Sequence, residues 1–406
     1  MTLALHHFRV GLQHQVLRLP QRTNTVACNT LFYPSRIAAF LLPRTTPQQQ
    51  LLWFSTTTPF QTEKSTDETP ATSPLQEIVD ISTKGVGQVI FLNSKPSGQI
   101  LLASLAIGDP FLVSMATIGT LTSTATAKYI PLPSKDALNN GLYSYNGCLI
   151  GCASSVFLSS IFTSTSSFVL ATTALTMTGA ASATIATAIL NRICPPMPQW
   201  TYAFNFVMLT ALLRVQPLSP KSTNPTPTTD MAEVVDISST STTSVLDIIV
   251  SPLKGLSQIF VVESAWTGVG VLAAIASYSP GLAFHAIMGS TIGCMMGTLI
   301  YNVPIADVAA GLWGYNAALT SLGVGVFFVP SNRTNTLSIT GAVASSATFG
   351  AMQPLFTSTP CLTLPFCITM SACWLLGTPV SQKATAVIPG LLLAPDPHSP
   401  EKNSLR

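Results

Sequence analysis

The chain has 406 residues, of which 8% are Asp, Glu, Lys or Arg and 47% are hydrophobic, whereas a soluble domain carries ~25% charged residues. So few charges cannot clothe a soluble surface of this size. The net charge of +3, with no dense run of Lys or Arg, gives nucleic acid no footing.

Residues 1–62 hold five arginines (Arg9, Arg18, Arg22, Arg36 and Arg44), three histidines and no acid before Glu63. That composition resembles an organellar transit peptide and is also open to reading as a polar, disordered tail. Residues 63–78 continue it as a Thr/Ser-rich linker. A first apolar block follows over 79–214, then a Ser/Thr/Pro-rich linker over 215–243, a second apolar block over 244–382 and a C-terminal tail over 383–406. No charged residue occurs between Asp136 and Arg192, between Glu263 and Asp307, or between Arg333 and Lys383. Each gap exceeds the ~20 apolar residues that cross a bilayer core, so several spans are expected. The gaps are rich in Gly, Ala, Ser and Thr, which suits helices packed closely inside a membrane bundle.

The two blocks are copies of one another. Residues 85–151 align without a gap on 255–321, and 17 of the 67 pairs are identical. They include Gly85 with Gly255, Gln88 with Gln258, Gly98 with Gly268, Pro110 with Pro280, Gly141 with Gly311, and Tyr145-Asn146 with Tyr315-Asn316. Beyond that block the second copy is eight residues shorter, which places Thr201 of WTYAFN opposite Thr363 of LTLPFC. Helices are expected throughout, because backbone groups in a bilayer must be satisfied within the chain. Pro110, Pro280, the Gly-Leu-x-x-Tyr-Asn motif, Pro198 and Pro365 mark their ends. Helices broken at matching places of two halves point to a permeation path between them.

Each half contributes a Gln, a Tyr-Asn and a Thr, all uncharged hydrogen-bonding residues. Such a lining favours a neutral polar solute over an ion, since no acid or base is matched between the copies. A coupling-ion site for a secondary active transporter would call for a buried acid, and no paired core acid exists. His285, whose partner in the repeat is Met115, reads as a packing histidine rather than part of a proton relay. The eight cysteines form no Cys-x-x-Cys pair and read as small membrane-core residues, with no metal site and no cofactor implied. No Ser-His-Asp set, phosphate loop or carboxylate pair supports an enzyme.

The stretches GVGQVIFLNSKPSG, GLYSYNGCLIG, GLSQIFVVESAWTG and GLWGYNAAL, taken together, strongly resemble the urea transporter family over about residues 80–380. The resemblance implies an all-α integral membrane protein of two inverted halves. Each half would hold about five transmembrane helices plus a short pore helix, with one central pore per subunit of a homotrimer. It implies urea or a similar small neutral amide as permeant and the plasma membrane as the usual site, an organellar membrane staying open because of the N-terminal stretch. Carried over by motif, Gln88 and Gln258 form the outer sites, Thr201 and Thr363 the middle constriction. Phe91, Tyr145, Leu149, Tyr315 and Leu319 would form the slot walls. Val261 stands where an aromatic wall is expected, which predicts a wider and less flat second slot. The usual Asn-Pro after the first motif is replaced by Ser94-Lys95 and Ser264-Ala265, and Ala203 replaces the proline of the first Thr motif. These departures leave two rivals to a passive channel: an active transporter on the same plan and a non-conducting membrane scaffold.

Overall fold

The computed structural model describes residues 73–132, 134–162, 164–194, 197–215, 245–356, 359–379, 388 and 391–394. The transit-peptide reading of 1–62, residues 63–72 of the first linker and all but residue 215 of the second lie outside the described residues; residues 74–78, read from sequence as linker, already belong to the first helix. Proline and a capping side chain open the first three helices. Helix α1, Pro74–Gln88, starts with Ser73 accepting from the backbone of Gln76 at 3.2 Å. Helix α2, Lys95–Gly108, starts with Ser94 accepting from Ser97 at 3.2 Å. Helix α3, Pro110–Tyr129, has Asp109 accepting from Phe111 and Leu112 at 2.9 and 3.0 Å. Each cap satisfies amides that the first turn leaves without a carbonyl. A short α4, Lys135–Asn139, leads to α5, Tyr145–Phe157, then the long α6, Thr165–Ile193, and α7, Tyr202–Val215.

The second half repeats the series. Helix α8, Val245–Ser257, passes through a short 3-10 turn into α9, Ala265–Tyr278, then α10, Pro280–Leu299, α11, Ile305–Ala309, and α12, Tyr315–Phe327. Four of these begin and end 170 residues after their first-half counterparts. Helix α13, Asn332–Met352, is the shorter partner of α6, and α14, Leu364–Leu376, begins 162 residues after α7. Among the described residues, extended pairing is confined to a two-residue parallel pair, β1 (Thr378–Pro379) with β2 (Leu392–Leu393), and a bridge between Phe328 and Leu393. Residues 391–394, within the segment read from sequence as a tail, are fastened to the end of α12. Val329 donates to Leu392 at 2.8 Å, Ala394 donates to Phe327 at 2.8 Å, and Leu391 and Leu393 are buried.

Beside its hydrophobic core the fold buries many hydroxyls and exposes many large apolar side chains. Ser82, Thr124 and Ser144 form a buried hydroxyl chain at 2.8 Å per link, and Ser154 meets Thr176 at 2.6 Å. Meanwhile Phe206, Trp266, Leu170, Leu299 and Leu375 stand exposed. Small and polar residues glue helices inside while apolar side chains face outward, as a lipid surrounding requires. Among the described helices, α6 and α10 are long and apolar enough to cross a membrane singly, and α8 with α9 qualify as one span bent by 78°. Of the others, α3 with 20 residues and α13 with 21 match α10 in length but are less apolar, whereas α2, α5, α7, α12 and α14 have 13 or 14 residues and rise only ~20 Å, against a ~30 Å hydrocarbon core. The apolar blocks are thus cut into broken helices more than the sequence suggested.

The halves interlock directly. Helix α2 packs along α9, where Thr267 Oγ1 donates to the Ser104 carbonyl at 3.2 Å and Gly270 lies against the Ser104 side chain. Gly108, at the other end of α2, meets Thr267. The later residue of α2 meets the earlier residue of α9, so these equivalent helices cross antiparallel.

Candidate functional site

The site grows from the breaks. Helix α1 ends in a turn whose Phe91 takes a left-handed backbone, φ 62, and the 3-10 turn after α8 ends on Val261 with φ 60. Ser264 caps α9 as Ser94 caps α2, accepting from Thr267 at 3.2 Å. The turn therefore forms in both halves without the prolines the family pattern led one to expect. A serine cap satisfies the first-turn amide equally well, and Pro96 still fits the first turn of α2. In the first half the ion pair Lys95–Asp80, 2.7 Å, ties the turn back to α1, and in the second Lys254–Glu263, 3.2 Å, does so.

Immediately before each turn stands a glutamine. Gln88 Nε2 donates to the Asn140 carbonyl at 2.9 Å, and Gln258 Nε2 donates to the Ala310 carbonyl at 2.9 Å. A carbonyl can only accept, so both amides are oriented: nitrogen toward the loop, oxygen away from it. The accepting residues precede Gly141 and Gly311, which take φ 74 and 81. The loop conformation and the glutamine thus form one unit in each half.

The tyrosines anchor backbone. Tyr145 donates its hydroxyl to the Trp200 carbonyl, and Tyr315 donates to the Leu362 carbonyl at 2.7 Å. Both acceptors sit just before the threonines and hold left-handed backbones, φ 43 and 50. The rings of Tyr145 and Tyr315 pack on the core beside Leu149 and Leu319, one helical turn on, which are buried at 2% and 1% exposure. Both tyrosine hydroxyls are therefore committed to main chain.

Thr201 and Thr363 come together from opposite halves, their hydroxyl oxygens 2.7 Å apart. Both are buried. Ala203 occupies the place where α14 has Pro365, yet α7 and α14 start at matching residues, because proline in the first turn is permitted rather than required. Around this contact lie residues that sequence reasoning missed. Asn205 and Cys367 follow the threonines by one turn and reach both hydroxyls. They are the last letters of the two Thr motifs, so the signal was spacing of i+4 from each threonine. Trp200, Phe327 and Phe366 surround the Phe91 ring at centroid distances of 6.4, 5.5 and 5.9 Å. The Phe91 ring thus belongs to one half and packs on two rings of the other, while Val261 offers no ring at the matching place.

The arrangement holds no charge at its centre. Its groups are amides, hydroxyls, a thiol and aromatic faces, suited to exchanging modest hydrogen bonds with a neutral polar molecule.

A family model described as "Urea transporter" matches residues 79–378. Urea transporter 1 of Ovis aries is 28% identical over 312 residues, covering 74% of this chain and 78% of that protein. Urea transporter 1 of Capra hircus matches to the same extent, and that of Rattus norvegicus is 27% identical over 309 residues with the same coverage. With its doubled helix series, lipid-suited exterior and match across both halves, this chain belongs to the urea transporter family of membrane proteins.

Proposed function

We propose that the protein carries urea passively, down its gradient, through a narrow filter between its two halves. The observation that carries this reading is the meeting of Thr201 and Thr363, 2.7 Å apart, with no charged group in the contact. Urea is planar, with one carbonyl and two amino groups. Taking it from water without replacement partners costs several kcal/mol per polar group. Here the glutamine oxygens of Gln88 and Gln258 would accept its N–H groups at the outer sites, and the threonine hydroxyls would serve it in the middle. Phe91, Tyr145, Tyr315, Leu149 and Leu319 supply flat apolar walls, and Val261 widens the second slot. Replacing one hydroxyl–hydroxyl bond by bonds to the solute changes the net energy by only ~1 kcal/mol, so nothing binds tightly and passage is fast. A cation gains no comparable partner, and its desolvation costs several kcal/mol.

The antiparallel crossing of α2 and α9 supports inverted halves, because equivalent helices related that way need a two-fold axis perpendicular to them. A homotrimer in the plasma membrane completes the proposal. The test is stopped-flow urea flux in proteoliposomes, comparing wild type, Thr201→Val/Thr363→Val and empty vesicles. Fast flux without a sodium or proton gradient, reduced at least tenfold in the double variant, is the expected result. Flux equal to that of empty vesicles from folded protein sinks the proposal and favours a scaffold.

A further inference from the structure

The threonine contact between the halves involves four side chains, which the repeat pairs as Thr201 with Thr363 and Asn205 with Cys367. The first pair is identical and the second is not. That difference has a chemical consequence, because the Asn205 amide is oriented without ambiguity. The Thr363 backbone N–H can only donate and lies 3.1 Å from Asn205 Oδ1; the Thr201 carbonyl can only accept and lies 2.8 Å from Asn205 Nδ2. Another Nδ2 proton is then left for Thr363 Oγ1, 2.9 Å away. So the Thr363 oxygen accepts from the amide, and its own proton must find a different acceptor. Thr201 Oγ1 is 2.7 Å away, and it in turn lies 3.1 Å from Cys367 Sγ. A chain running Asn205 to Thr363 to Thr201 to Cys367 gives each hydroxyl proton an acceptor. Run the other way, Thr363 would receive two protons and have no acceptor among these contacts for its own.

We propose that Asn205 is a positioning residue that makes the two threonines chemically unequal. It holds Thr363 as the fixed donor to a solute carbonyl. Thr201, whose proton has a weak thiol acceptor at 3.1 Å and which Asn205 Nδ2 reaches only at 3.5 Å, is the hydroxyl that turns aside and accepts a solute N–H. A carbonyl and an N–H on the same carbon, as in ureas and primary amides, engages both. This rests on the urea-transport reading of the same site. The matched position in the other half cannot do the same, since a thiol is a weak donor and cannot clamp a backbone N–H and a carbonyl together.

The test is urea flux from proteoliposomes bearing Thr201→Val or Thr363→Val, each in the wild-type background and in the exchanged background Asn205→Cys/Cys367→Asn. In the wild-type background Thr363→Val should cost about five- to tenfold more flux than Thr201→Val, the rate equivalent of one hydrogen bond. In the exchanged background the order should reverse, a result that a merely structural asparagine would not produce. Equal losses in the wild-type background, or an order unmoved by the exchange in monodisperse protein, overturn the proposal. Should the exchanged protein fail to fold, Asn205→Leu combined with Thr363→Val decides. Losses that do not add support action through Thr363, and additive losses overturn it. Wild-type vesicles no faster than empty ones overturn the transport reading itself, and this assignment with it.

Discussion

Gly141 and Gly311 show how a single residue type is dictated by the fold around it. Both hold a left-handed backbone, and a β-carbon on either would run into the neighbouring glycine of the pair, Gly85 or Gly255. The carbonyl just before each accepts from Gln88 or Gln258, so a shift here would misplace a candidate outer site. Gly141→Ala and Gly311→Ala are each expected to destabilise by about 1–3 kcal/mol, from left-handed strain plus overpacking, read as a lower melting temperature in detergent. The identity of these glycines across the repeat was legible in sequence. The hydrogen bonds that make them matter were not, because a loop carbonyl and a helix-end amide 52 residues apart leave no mark in composition.

At the scale of elements, the turn between α1 and α2 and its copy between α8 and α9 carry the departures from the family pattern. Each is closed by a serine, Ser94 or Ser264, whose side chain accepts from the amide of the third residue of the next helix, Ser97 or Thr267, at 3.2 Å. Ser94→Ala and Ser264→Ala should each cost about 1 kcal/mol, with similar effect in both halves, measurable by thermal melts of the purified protein. A much larger loss at one site alone would mean that the ion pair there, Lys95–Asp80 or Lys254–Glu263, depends on the cap. The chain order of breaks at Pro110, Pro280 and the Tyr-Asn motifs was readable beforehand, since proline and capping residues act locally. The left-handed turns at Phe91 and Val261 were not. Neither phenylalanine nor β-branched valine favours that conformation, and only the surrounding packing imposes it. The strap at 391–394 was hidden for the same reason: four short apolar residues have no periodicity, and their partners at Phe327 and Val329 are far away in sequence.

For the whole molecule, the candidate path is lined, apart from the Cys367 thiol, by groups that do not titrate near neutrality: amides, hydroxyls and aromatic rings. Urea flux is therefore expected to stay flat between about pH 6 and 8 in proteoliposomes, where His titration would otherwise register. A bell or step in that range would place a titratable group in the path, with His285, hydrogen-bonded to Ser338 at 2.8 Å, the first to replace. Sequence by itself determined the membrane setting, the duplication and the family, because charge spacing and a constant register are properties of the chain alone. It also marked the four polar residues, Gln88, Gln258, Thr201 and Thr363, that recur in both copies. Tertiary structure decided what those residues touch. It spent the tyrosine hydroxyls on backbone, packed Phe91 against Trp200 and two rings of the other half, and brought Asn205 and Cys367 together at the threonine contact. A repeat in sequence makes two halves equal in principle; the contact between them, where one asparagine faces one cysteine, is where that equality ends.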